Sequence, residues 1–299
     1  MVHTPKTLIV VAGPTGVGKT AFCVRLARRL NTVVVSADSR QFYRELTIGT
    51  AKPTPGELGG IPHYFIDSHS IDAPISAGQY EREALALLNE LFQTYDKVIM
   101  TGGTGLYINA VLHGLDDMPV GDEALRERLQ RQFEAEGITP LQNELQRLDP
   151  DYTTLADLNN TQRVMRALEV SIVSGRPYSS FRRRQLPVRP FQSVLFALER
   201  PRDELYARID ARVDEMLAAG LVDEVRGLTA YRHTPALKTV GYKEVFGYLD
   251  GDYDYATMVD LLKRNSRRYA KRQLTWFRHQ NDFRWISPED EPEGIFNVQ

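Results

Sequence analysis

The segment GPTGVGKT, residues 13–20, gathers the residue types that hold phosphate. Gly13, Gly16 and Gly18 allow a tight turn whose backbone N–H groups face one point, with Pro14, Thr15 and Val17 filling it out. Lys19 adds a point charge, and the Thr20 hydroxyl can ligate Mg²⁺. The spacing counts as a phosphate loop only where a strand precedes it and a helix follows. Both conditions hold, because an apolar run covers residues 8–12 and helical spacing covers 19–30. Nothing in this chemistry requires the phosphate to belong to a nucleotide. A nucleotide hydrolase with such a loop would also end an apolar strand in Asp to help hold Mg²⁺, yet KVIMTGGTG ends its strand in Thr101, Gly102, Gly103 and Thr104. The carboxylate comes after a different strand: in VVVSADSRQFY it is Asp38, which either serves the phosphate site or is a turn or helix-cap residue.

The elements that must position these groups are strands at 8–12, 32–37 and 97–101, apolar enough to be buried on both faces, with a fourth expected at 193–198. Helical periodicity at 19–30 and 77–94 makes the first hundred residues strand-helix units around a parallel sheet. In such a sheet the carboxyl ends of neighbouring strands open on one crevice, which brings Asp38, Thr104 and the phosphate loop together. Between 113 and 189 the composition turns polar and helix-forming, with Gly137, Pro140, Pro150, Gly175 and Pro177 as breaks. The expected division is a core in two parts, 1–112 and 190–299, interrupted by a helical insertion at 113–189.

Of the 299 residues, 42% are hydrophobic, enough for a sizeable core, and 37 Lys and Arg against 39 Asp and Glu exclude a globally basic nucleic-acid coat. A local basic patch remains open. Lys263, Arg267 and Lys271 form one i, i+4 ridge and Arg264, Arg268 and Arg272 the next, with Leu262, Ala270, Leu274 and Phe277 turned inward. Balancing carboxylates are nearly absent from this stretch, so phosphate contact is favoured over a merely solvated face. Arg208 and Arg212 share a face one turn apart, and for each a surface ion pair within its own helix is the alternative. The lone Cys23 falls at an apolar position and reads as a core thiol, and His63 and His69 lack the spacing of a metal pair. The short first apolar run is a buried strand and not a signal peptide, which points to the cytoplasm.

Seven motifs in order, GPTGVGKT, DSRQFY, IGTAKP, GGTGLY, NNTQRVMRALEV, VGYKE and AKRQLTWFR, closely resemble the tRNA dimethylallyltransferases, also called isopentenyl-tRNA transferases. The resemblance runs to about Arg278. It implies a P-loop NTPase-like α/β fold, a parallel sheet flanked by helices with a helical insertion domain. It also implies transfer of a dimethylallyl group from dimethylallyl diphosphate to N6 of the adenosine 3′ of the anticodon, with Mg²⁺ as cofactor. The loop would then cradle a prenyl diphosphate. By resemblance Asp38 is the base that takes the amine proton, with Lys19, Thr104 and Arg212 in the reacting channel and Arg208 a weaker candidate for the diphosphate. Also by resemblance, tRNA is contacted by Asp38, Ser39, Arg40, Gln41 and Thr104, and by Arg126 from the insertion. Further contacts are Gln162, Arg163, Val164, Met165 and Arg166, then Lys238, Thr239, Val240, Gly241, Tyr242 and Lys243. The last are Lys271, Arg272, Gln273, Leu274, Thr275, Trp276, Phe277 and Arg278. Trp276 and Phe277 suit either base stacking or core packing. The chain lacks the Cys/His cluster of the family's eukaryotic zinc-finger extension, so the likeness is to the bacterial form, expected as a monomer.

Two other classes share parts of this pattern. A small-molecule or nucleoside kinase has the same loop and a helical lid, and would turn over ATP. An RNA-binding module with a purely structural loop would bind tRNA without transferring a prenyl group.

Overall fold

The computed structural model describes residues 5–182, 187–280 and 282–291. The strands are β1 (Thr7–Ala12), β2 (Val34–Ser36), β3 (His63–Tyr64), β4 (Lys97–Gly102), β5 (Gln192–Leu198) and β6 (Arg284–Ile286). They form one sheet in the order β3-β2-β4-β1-β5-β6, and every pairing is parallel. The helices are α1 (Lys19–Leu30), α2 (Pro55–Leu58), α3 (Ala77–Thr94), α4 (Gly105–His113), α5 (Glu123–Glu136), α6 (Thr139–Leu148), α7 (Pro150–Leu155) and α8 (Thr161–Ser174). They continue with α9 (Arg202–Ala218), α10 (Leu221–Gly227), α11 (Tyr242–Leu249) and α12 (Tyr255–Arg278).

Two compact units divide the chain: 1–113 with 188–299, and Gly114–Pro187. In the first, period-two side-chain alternation splits β1 between two cores. Leu8, Val10 and Ala12 face a cluster with Val98, Met100 and the α3 residues Tyr80, Ala84 and Leu88. Ile9 and Val11 face the opposite cluster, with Ile99, Phe196 and the α1 residues Phe22, Cys23 and Leu26. Because both faces are covered, the strand is an uninterrupted apolar run with five fully buried residues. Such burial stabilises each large side chain by about 1.5–3 kcal/mol.

The sequence-based boundaries differ in specific ways. The second strand is Val34–Ser36 and not the full 32–37 run, because the Thr32 N–H bonds back to the Ala27 carbonyl at the end of α1. Two strands were not anticipated: β3 and β6, of two and three residues, extend the sheet at its edges.

The second unit builds its own core from α5, α6, α7 and α8, with Leu125, Leu129, Leu141, Leu145 and Leu168 buried. Asp149 organises it: the buried carboxylate caps α7 through the Tyr152 N–H and accepts the Ser179 N–H and hydroxyl.

Candidate active site

The phosphate loop joins β1 to α1 through a left-handed residue, Gly18 (φ 108), which caps the helix without any side chain. The first-turn N–H groups of α1 therefore have neither an intrahelical partner nor a capping side chain, and no acidic residue lies in that turn. A helix start of this kind attracts an anion. Cations fix the loop's carbonyls. Lys19 Nζ donates to Gly13 at 2.9 Å and to Pro14 at 2.8 Å, Arg208 Nε donates to Gly16 at 3.0 Å, and Arg200 Nε donates to Val17 at 2.8 Å.

Beside the loop opens a cavity of about 240 Å³. Lys19, Arg208 and Arg212 make one part of its wall cationic, beside the Thr20 hydroxyl, and Asp38 and Arg40 also line it. Val213, Met216, Leu221 and Leu262 supply an apolar part. The cavity thus suits a molecule with an anionic head and a short apolar tail. Its rim includes Gly49, Thr50 and Pro53, a segment held by Glu224, which accepts the N–H groups of Thr47, Ile48 and Gly49 and the Tyr242 hydroxyl.

Burial lowers the Lys19 ammonium to about 8; Asp38 opposes that shift and Arg212 adds to it. Arg212 is itself lowered, first by burial and then by Arg208. Two desolvated cations side by side are costly until an anion joins them. The Tyr269 phenol on the same wall is pushed up to about 12, by burial and then by the Asp38 charge. Asp38 Oδ1 accepts the Arg40 N–H at 3.0 Å, so the turn reading holds for one carboxylate oxygen. The other has no hydrogen-bond partner among the described residues. Thr104 stands behind this turn: its hydroxyl accepts the Ser39 N–H at 3.3 Å and lies 3.3 Å from the Ser39 hydroxyl.

A family model described as IPP transferase matches residues 41–280. The chain belongs to the IPP transferase family. Among its relatives are a tRNA dimethylallyltransferase of Cytophaga hutchinsonii, 52% identical over 96% of this chain and 95% of that protein. Another, tRNA dimethylallyltransferase 1 of Bacteroides thetaiotaomicron, is 47% identical over 96% and 93%. Among solved structures, the tRNA isopentenylpyrophosphate transferase of Bacillus halodurans superposes with a TM-score of 0.70 at 39% identity, covering 97% of this chain and 93% of that one. A eukaryotic dimethylallyltransferase acting on tRNA gives 0.76 at 26% identity, covering 98% and 76%. The fold is the P-loop NTPase-like one these neighbours share. The kinase alternative has no counterpart in these names.

Within this IPP transferase chain several sequence-based expectations need correction. For Arg208 the ion pair within its own helix is only the alternative, and the residue instead hooks the Gly16 carbonyl and lines the cavity. Balancing carboxylates for α12 do exist, on α9: Lys263 pairs with Asp214 and Arg267 with Asp210. Arg264, Arg268 and Lys271 are exposed and have no carboxylate partner among the described residues, and Arg272 lies over the Tyr269 ring at 5.6 Å. Four side chains of the expected tRNA segments, those of Val164, Tyr242, Gln273 and Phe277, are buried and are not offered to RNA. Phe277 is core, in edge contact with Phe283 and Trp276.

The other expected residues fall in different places. Arg40, Gln41, Thr239, Val240 and Gly241 line the cavity. Gln162, Arg163, Lys238, Lys243 and Thr275 are exposed, while Met165, Leu274 and Trp276 are half-buried. In the second unit Arg126 and Arg166 each bind the buried Glu169 at 2.7 Å. Arg278 approaches Glu199 at 3.5 Å and lies over Trp285. Cys23 is a core thiol pushed up to about 12 by burial. His69 Nε2 lies 3.0 Å from Glu83, and His63 Nδ1 is 2.8 Å from the Ile61 carbonyl.

Sequence reasoning missed Tyr269, Met216 and Leu221 as cavity residues. Nothing in their residue types or helical spacing distinguishes them from ordinary packing residues, because only the tertiary arrangement separates cavity wall from core.

Proposed function

We propose that this chain transfers a dimethylallyl group from dimethylallyl diphosphate to N6 of the adenosine 3′ of the anticodon in tRNA, releasing diphosphate. The cavity carries the reading. Its cationic loop suits the diphosphate, and its apolar wall suits a five-carbon chain. A soluble cytoplasmic monomer is the form proposed; no helix among the described residues is long and apolar enough to cross a membrane.

In this reading the donor's C1–O bond breaks while a C1–N6 bond forms. Lys19, Arg208, Arg212 and the N–H groups at the start of α1 take up the charge on the departing diphosphate. Thr20 would hold Mg²⁺ together with the donor's phosphate oxygens, a hard-oxygen set suited to that ion, which would supply further neutralisation. The exocyclic amine is a weak nucleophile and must lose a proton as the bond forms. The unpartnered oxygen of Asp38 receives it, while the Arg40 N–H and the Ser39–Thr104 contact hold the carboxylate's turn in place. The target base must leave the anticodon stack to arrive there. Arg264, Arg268, Lys271 and Arg272 on α12 hold the RNA by its phosphates.

The test is incubation with dimethylallyl diphosphate, Mg²⁺ and unmodified tRNA, followed by nucleoside mass analysis. A gain of one five-carbon unit on adenosine supports the reading. RNA binding without that gain would return the chain to a binding module.

A further inference from the structure

Gln273 follows the exposed Arg272 on α12, yet its side chain runs inward and is 7% exposed. Its Oε1 accepts the backbone N–H of Thr15, in the phosphate loop, at 2.9 Å. Its Nε2 donates to the Gly103 carbonyl, in the turn after β4, at 2.9 Å. One amide therefore joins three segments that are far apart in sequence. The approach is close enough that a Cβ on Gly103 would overlap this amide, and one on Gly105 would overlap the Trp276 ring. Each end of the amide has one partner inside the protein, which orients the side chain along the cavity wall that it helps to line. The pairing also demands an amide. Met offers neither a strong donor nor a strong acceptor, and an ionised Glu accepts but cannot donate.

We propose that Gln273 is a positioning residue: it seats the phosphate loop against α12 and thereby sets the geometry in which the loop receives the donor's diphosphate. This rests on the function proposed above. Gly13, Pro14, Gly16 and Val17 present their carbonyls to Lys19, Arg208 and Arg200, and Thr15 presents its N–H to Gln273. Among the described residues, the Gln273 bond is the one by which the helix bearing the unpaired arginines fixes the loop directly. A loop displaced by ~1 Å can cost about 10²-fold in rate.

The experiment uses the full chain, with inorganic pyrophosphate as the calorimetric probe and an unmodified tRNA as a separate ligand. Gln273→Met should weaken pyrophosphate about tenfold, as expected for the loss of a buried hydrogen-bond pair, and leave tRNA affinity unchanged. Gln273→Glu keeps the acceptor for Thr15, loses the donor to Gly103 and adds a charge near the site. Its pyrophosphate affinity, relative to wild type at each pH, should recover as pH falls and the carboxyl regains a proton to donate. Where the Met variant does not fold, this pH recovery carries the test, read at high salt, which screens the added charge, and on protein that circular dichroism shows to be folded at each pH, so that neither the charge nor a role in stability alone would produce it. Unchanged pyrophosphate affinity with weakened tRNA binding would make Gln273 an RNA contact and overturn the proposal. A Glu variant without pH recovery would also overturn it. Should the wild type fail to transfer a prenyl group while the pyrophosphate effects appear as described, the function reading fails and the positioning role stands.

Discussion

Arg208 donates its Nε–H to the Gly16 carbonyl at 3.0 Å, which fastens helix α9 to the phosphate loop and fixes Arg212, one turn along, on the cavity wall. The two arginines therefore have separable duties. Arg212→Ala should remove a charge from the proposed leaving-group site and lower kcat by about 10²- to 10³-fold. Arg208→Lys keeps the charge but loses the guanidinium geometry, so its effect should fall mainly on KM for the donor. Steady-state kinetics with varied donor separates them, and equal kcat losses for both variants would contradict this division.

Asp38→Asn removes the proposed proton acceptor at nearly constant size. Single-turnover transfer should fall by about 10²-fold or more, with pyrophosphate affinity little changed. Transfer near the wild-type rate would leave Asp38 as a turn residue alone, held by the Arg40 N–H.

Lys19 gives a pH signature. Burial lowers its ammonium to about 8, so above that pH the ligand-free protein carries it neutral, and binding an anion takes up a proton. Pyrophosphate affinity should then fall by up to about tenfold per pH unit above 8. Subtracting the Lys19→Ala profile removes the ligand's own titration. Stability moves the other way. The folded value lies below the ordinary 10.5, so the unfolded chain binds more protons between the two, and the penalty for burying the charge is relieved as pH rises through that window. A flat difference in affinity from pH 7 to 10 would show that the Lys19 charge has no part in binding.

On α12 the ion pairs divide the basic residues into two groups. Arg268→Ala and Arg272→Ala should each weaken binding of cognate and non-cognate RNA alike and reduce the slope of log affinity against log salt by about 1. Lys263→Ala and Arg267→Ala should change that slope little, because Asp214 and Asp210 already engage them. A salt titration of tRNA binding for the four variants checks the division, and equal slopes for all would contradict it.

What was legible in the sequence follows from how local its causes are. β1, β4, α1 and α3 rest on apolar runs and 3.6-residue periodicity, and α3 spans Ala77–Thr94 as its spacing predicts. β3 and β6 are too short to show alternation. They exist because Val34–Val35 and Phe196–Leu198 offer edges to pair with. The phosphate loop and Asp38 could be picked out from residue types and flanking elements. Gln273 could not be assigned its bonds, since its partners lie 258 and 170 residues away. The carboxylates that balance Lys263 and Arg267 sit 49 and 57 residues upstream, where inspection of the helix itself does not reach.

In the proposed reaction the loop holds the diphosphate of a group donor whose carbon, and not whose phosphorus, is transferred. Dimethylallyl diphosphate labelled both at C1 and at phosphorus tests it in one reaction with unmodified tRNA. Carbon label should appear in the RNA and phosphorus label in free diphosphate, in equal amounts. Phosphorus label in the RNA, or carbon label remaining with the phosphate, would contradict it.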